Sequence, residues 1–219
     1  MRLTIANSKA VKFACLHFHY AKCVPVNTIG FNVYNDADEW CGVILYGTGA
    51  NNHIGSEYNL GIGEVVELVR VALNGKQGGG MTSRAVSMSL KLLKEKCPLV
   101  RLVVSYADCD QNHLGIIYQA TNWIYVGVPA KNHCYVIKGK KTHKKSLAWI
   151  QEKYGVPLSI ESVRKYADRN ATEFITKGKR KYLMPLDKQM RRKILPLVKP
   201  YPKSEGWVKI DRKKFKASE

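Results

Sequence analysis

Apolar residues run almost unbroken through VVELVRVAL (65–73) and LVRLVVSYA (99–107). Strands that bury both faces read this way. Between them lie the glycine loop NGKQGGG (74–80) and MTSRAVSMSLKLLKEK (81–96), where Val86, Leu90 and Leu93 recur at helical spacing and Pro98 ends the run. Upstream, LTIA (3–6) reads as a strand. Asn7 or Ser8 can cap the helix that follows, with Ala10, Phe13 and Ala14 on its apolar side and Pro25 as its stop. TIGFNVYN (28–35) and EWCGVILYG (39–47) flank a polar DAD turn as a hairpin, and a Gly/Asn-rich loop fills Thr48–Gly63. Downstream come a short helix, NHLGIIYQA (112–120), and a strand, WIYVGV (123–128). The tail holds two amphipathic stretches, SLAWIQEKYG and SIESVRKYADR, then KRKYLMPL and a basic helix, DKQMRRKILPLV. The pattern predicts a mixed α/β fold: a mixed central sheet with flanking helices over 1–130, and a C-terminal extension over 131–219 packed on it.

Charge sharpens that division. The 219 residues carry a formal net charge of +19. Met1 to Ala130 holds 11 Lys and Arg against 9 Asp and Glu, whereas Lys131 to Glu219 holds 25 against 8. A one-sided excess of this size suits a polyanion, because neutralising phosphates releases counterions. Nucleic acid is the first such partner and an anionic membrane the second, with Lys179, Arg180, Lys181, Arg191, Arg192 and Lys193 as the cations expected to meet nucleic-acid phosphates. No stretch approaches the ~20 apolar residues of a membrane span, and MRLTIANSKAVK lacks the apolar core of a signal peptide, so an intracellular protein without membrane contact is expected. The six cysteines include no CxxC pair and read as free thiols.

Three stretches carry candidate chemistry. The glycine loop joins a strand to a helix, as a phosphate cradle does, with Gly75, Gly78, Gly79, Gly80 and Thr82 as candidate contacts; no GK[ST] follows, so it is no P-loop. Asp108 closes a buried strand, where open α/β sheets place ligands, and Tyr118 follows on the next helix. Glu67 and Arg70 are charged residues inside an apolar strand, costly there unless paired or used; if a bulge brings them to one side they can pair, and otherwise Arg70 is expected to point to the cleft.

This element order, with a glycine loop between the fourth strand and a long helix, resembles the GNAT N-acetyltransferase fold, whose equivalent loop grips the pyrophosphate of coenzyme A. IYQATNWIYVG (117–127) is similar to that fold's tyrosine-bearing helix and next strand, with Asn122 in place of the usual helix-closing Gly. Asn tolerates the left-handed conformation needed there. SYADCDQNHLGIIYQATNWIYVG (105–127), HYAK (19–22), the Arg70 strand and KRKYLMPLDKQMRRKILPLVKPYPK (179–203) together resemble the bacteriophage Mom family of DNA-modification proteins. The resemblance implies conversion of adenine in phage DNA to its N6-carbamoylmethyl (acetamido) derivative, which blocks host restriction enzymes. It implies Asp108 and Tyr118 as an active-site pair, Arg70 as the strand arginine and His19 and Tyr20 on the acceptor side. The implied partner is double-stranded DNA with a flipped adenine, in the cytoplasm of the infected host; a homodimer is compatible.

Acetyl-CoA is the donor a GNAT fold implies, yet plain acetyl transfer gives an amide, whereas the family's product joins nitrogen to a methylene carbon. Either the donor is another acyl or a glycyl group, or a second step or a redox metal intervenes. His17, His19, Tyr20 and Asp108 are the donors an iron would find, although no HxD or HEXXH spacing argues for one. Two other functions fit parts of the chain: an N-acetyltransferase of a protein or small amine, which does not need the basic tail, and a non-catalytic basic DNA-binding protein, which does not need Asp108, Tyr118 and the glycine loop together.

Overall fold

The computed structural model describes residues 1–26, 28–49, 53–129 and 133–203. Residues 50–52 of the expected loop, and 131–132 and 204–219 of the extension, lie outside the described residues.

Seven strands form the main sheet: β1 (Arg2–Ile5), β2 (Thr28–Tyr34), β3 (Trp40–Gly47), β4 (Val65–Leu73), β5 (Leu102–Asp108), β6 (Ile124–Gly127) and, far downstream, β10 (Lys179–Pro185). Their order is β1-β2-β3-β4-β5-β10-β6, and β4–β5 is the parallel pair. One face is covered by α2 (Met81–Lys96) and the short α3 (Ile116–Gln119). Val86, Leu90 and Leu93 pack there with Phe31, Tyr46, Val103, Trp123 and Tyr182. On the other face α1 (Ser8–His17) sets Val11, Ala14 and Cys15 on Val43, Leu45 and Ala72. Beside it α6 (Lys188–Ile194) sets Met190 and Ile194 on Leu102, Val104 and Leu183.

Local signals are met where they were explicit. Asn7 is the cap of α1, its side chain accepting the Ala10 N–H at 2.9 Å. Asn122 takes φ +60°, the left-handed turn that sends α3 into β6. Gly115, at φ +76°, precedes α3 and lies against the buried Tyr182 ring, which a Cβ would approach to 2.5 Å.

The chain beyond residue 130 does not remain outside the sheet. β10 pairs antiparallel with β5 from Lys179↔Asp108 to Pro185↔Leu102, and with β6 on its other side. Tyr182 and Leu183 are fully buried, one on each face. The part that stands apart is therefore an inserted module between β6 and β10. It contains β7 (His133–Ile137), β8 (Lys140–His143), α4 (Ala148–Tyr154), α5 (Ile160–Tyr166) and β9 (Thr172–Ile175). Its strands form a second sheet, β8-β7-β9, over its own core of Tyr135, Leu147, Ile150, Val163 and Ala171.

Candidate active site

The parallel pairing of β4 and β5 ends at Glu67↔Val104. One residue further, Ser105 Oγ lies 2.9 Å from the Leu68 carbonyl oxygen and 2.8 Å from the Tyr118 hydroxyl. A side chain thus takes over from the ladder, and the strands part. A cavity of about 510 Å³ opens in the gap, lined by Glu67 and Arg70 of β4, Tyr106 of β5, Tyr118 of α3 and Lys179 of β10, with His19 and Tyr20 from the segment after α1.

Glu67 and Arg70 share this cavity because β4 bulges. Leu45 pairs with Arg70 but Tyr46 pairs with Leu68, so Val69 is an extra residue. Three residues apart in a regular strand, the two side chains would point to opposite faces. They face one space without an ion pair between them among the described residues. Burial pushes the Glu67 carboxyl up, partly offset by Lys179 and Arg70. The loop backbone at Gly49 covers it, close enough that a Cβ there would stand 2.0 Å from Glu67 Oε2. Arg70 donates to the Val69 carbonyl at 2.7 Å and to Cys23 Sγ at 3.2 Å, while its buried Nε–H has no partner among the described residues.

An aromatic group forms the rim. His19 Nδ1 accepts the Ala21 N–H at 3.1 Å, which leaves the ring proton on Nε2. Burial above all, then Arg70, His113 and Lys22, lowers its pKa to about 4, so the ring is neutral near pH 7. Tyr20 stacks on His19 at 4.4 Å, meets His113 edge-on at 5.7 Å and is 53% exposed. Burial and Asp108 raise its phenol. Tyr118 is buried, with its hydroxyl pushed up to about 12 chiefly by burial.

Asp108 and Tyr118 do not face each other across this space. The wall at the end of β5 is made by Tyr106 and Ala107. Asp108 Oδ1 accepts the Asp110 N–H at 2.9 Å, and its carbonyl accepts the His113 N–H at 3.0 Å, so it braces the turn at the mouth. Glu67 is the carboxylate inside. Its sequence signal was a charge in an apolar strand, but only the bulge gives that charge a destination.

The glycine loop stands beyond the end of β4 and does not line the cavity. Gly80, at φ +71°, begins α2 without a side-chain cap, and Gln77 Nε2 donates to Thr82 Oγ1 at 3.0 Å. A Cβ on Gly75, Gly79 or Gly80 would meet nothing within 4 Å. An open glycine face on the N-terminus of a 16-residue helix fits a phosphate group. The expected iron donors do not converge. His17 stacks on Phe13 at 4.3 Å, His19 Nδ1 is engaged, and no three His, Cys, Asp or Glu side chains gather as a metal site among the described residues.

The six tail cations have different situations. Lys179 lines the cavity, and Arg191 and Arg192 are exposed on α6. Lys181 is buried, paired with Glu57 and 5.0 Å over the Tyr58 ring. Arg180 holds the His113 carbonyl at 2.9 Å and Cys109 Sγ at 3.1 Å, and Lys193 Nζ donates to the Tyr58 carbonyl at 2.5 Å. Strand alternation in β10 turns Lys181 towards the α6 side and Arg180 towards α3.

The model of the Mom protein family matches residues 2–203. A relative described as "Methylcarbamoylase mom", from Escherichia phage Mu, is 26% identical over 193 residues, covering 84% of this chain and 76% of the relative. Similar solved structures include a spermidine N-acetyltransferase SpeG chimera from Vibrio cholerae and hSSAT, with a TM-score of 0.45 and 8% identity, covering 89% of this chain and 99% of that one. Another is spermidine/spermine N-acetyltransferase SpeG from Vibrio cholerae, also at 0.45, with 10% identity, covering 87% and 95%. Among the described residues no helix is long and apolar enough to cross a membrane.

Proposed function

The chain belongs to the Mom protein family, and from that premise we propose that it transfers a carbamoylmethyl (acetamido) group to the exocyclic amine of adenine in phage DNA, shielding it from restriction enzymes in the infected bacterium. The observation that carries this reading is the cavity at the β4–β5 parting. There a carboxyl raised by burial, an arginine whose Nε–H has no partner among the described residues and an exposed aromatic rim meet beside Lys179. The phage Mu relative's description as a methylcarbamoylase supports the same chemistry.

The adenine amine is a poor nucleophile, because its lone pair is delocalised into the ring, and in duplex DNA it is stacked and paired. Extruding the base costs a few kcal/mol. Tyr20, backed by His19 and edged by His113, offers a face on which the flipped ring can stack. Neutral His19 keeps a proton on Nε2 to donate to a ring nitrogen. Glu67 takes the amine's proton as nitrogen bonds to the donor's methylene carbon and that carbon's bond to its leaving group breaks, the leaving group departing with the electron pair, while Arg70 Nε–H binds the donor's carbonyl oxygen. Asp108, at the mouth, orients Tyr20. The donor's phosphate end lies on Gly78, Gly79, Gly80 and the start of α2; a glycyl-type donor supplies the methylene carbon that acetyl-CoA does not.

The test is mass spectrometry of nucleosides from plasmid DNA made in cells that express each variant. Glu67→Gln should keep the fold and lower modified adenine by about 10²–10⁴, the usual cost of a lost general base. Asp108→Asn should lose less. Because Glu67 titrates above its ordinary value when folded, its ionisation opposes folding as pH rises through that window, so Glu67→Gln should melt no lower than the parent at neutral pH. Full modification by a folded Glu67→Gln would remove Glu67 from the chemistry. Absence of modified adenine with the parent chain would reject the function.

A further inference from the structure

The inserted module supplies no wall of the cavity, yet it is fastened to its mouth. The Lys177 N–H donates to Asp110 Oδ1 at 3.0 Å, and the Cys109 N–H donates to the Gly178 carbonyl at 3.2 Å. Both contacts join the end of the module to the turn after β5. Residues 133–177 carry ten Lys and Arg against four Asp and Glu. Lys140 and Lys141 on β8, and Lys144 and Lys145 on the turn that follows, are exposed, and none makes an ion pair among the described residues. The module's own ion pair, His133–Glu173, neutralises none of them.

These lysines lie on a path to the site. Burial above all, then Lys145, Lys144 and Lys179, lowers the His143 pKa. Lys179 in turn lines the cavity and acts on Glu67. Lys141 and Lys144 also reach Cys134, as does Asp110 of the anchoring turn. Positive charge thus lies along β8 and the turn after it, on a module whose end is hydrogen-bonded to the mouth where Lys179 lines the cavity.

We propose that the β8 strand and the turn after it, through Lys140, Lys141, Lys144 and Lys145, hold the phosphate backbone of duplex DNA beside the cavity. This rests on the reading of the chain as a DNA-modifying protein. Lysines on an edge strand also deter sheet-to-sheet pairing. That accounts for Lys140 and Lys141 alone, since Lys144 and Lys145 lie beyond the strand. A clamp fixed at the mouth holds flanking duplex while one base leaves the stack, and the energy of phosphate contacts then offsets the extrusion.

The experiment measures binding of a fluorescent duplex oligonucleotide across a salt series. Three proteins are compared: the parent chain, a variant with Lys140, Lys141, Lys144 and Lys145 all changed to Gln, and a control with Lys9, Lys12, Lys91 and Lys96 changed to Gln. The control removes equal charge from exposed sites on α1 and α2. Each lost phosphate contact lowers the slope of log affinity against log salt by about 0.9. The module variant should lose about 2–4 units of slope and at least about tenfold in affinity, with its melting temperature kept. The control should keep nearly the parent slope. Equal slopes for module variant and parent, or equal losses in variant and control, overturn the assignment while leaving DNA as substrate. A parent chain that does not bind duplex DNA overturns both readings.

Discussion

Removing the hydroxyl of Ser105 tests how the parting of β4 and β5 is held. Ser105 is 1% exposed and its Oγ touches two groups, the Leu68 carbonyl and the Tyr118 hydroxyl. A hydroxyl has one proton, and a carbonyl can only accept. When Ser105 donates to Leu68, Tyr118 therefore donates to Ser105. Ser105→Ala strands both neighbours away from water, and each buried unpaired group costs about 1–3 kcal/mol. Allowing for partial relaxation, the loss should be about 2–4 kcal/mol, a drop in Tm of roughly 5–15 °C for a chain of this size. Tyr118→Phe keeps the Ser105–Leu68 bond and should cost only about 1 kcal/mol. In the Tyr118→Phe background Ser105→Ala strands the carbonyl alone, so the two changes should couple by about 1 kcal/mol or more. Urea titrations of the four proteins with unchanged m give the cycle. A Ser105→Ala cost under about 0.5 kcal/mol, or a cycle additive within about 0.3 kcal/mol, would refute the proton assignment and the bridging role.

Gly115→Ala should destabilise by about 2–4 kcal/mol, from a left-handed backbone and a Cβ 2.5 Å from the buried Tyr182 ring; an unchanged Tm would contradict this. His19 has a folded pKa of about 4 against an ordinary value of about 6.5, so the stability its neutral form contributes is present above pH ~6.5 and lost as pH falls towards 4. An NMR titration of its ring should show a midpoint near 4, and the acid loss of Tm between those pH values should shrink in His19→Gln; a midpoint near 6.5 would refute the desolvated rim.

Much of the frame was legible because it depends on local order. Apolar runs mark β4 and β5, helical spacing marks α2, and Asn122 marks the left-handed turn, since each signal lies within one turn or strand of its effect. The glycine loop and its helix were legible for the same reason, and the basic excess of the tail needs only a count. What period cannot give is the partner. KRKYLMPL shows three cations and then an apolar run, but that it slides between β5 and β6 is decided by the edges left open there, 50 and more residues earlier in the chain. That insertion turns Lys181 inward to Glu57, 124 residues away, and makes a cation expected on DNA part of the protein's own packing. Glu67 was visible as an oddity and Asp108 as a strand end. Which carboxylate enters the cavity follows from a one-residue bulge in β4 and the Asx turn made by Asp108, and both arise from pairing and loop closure that a single strand's sequence does not contain.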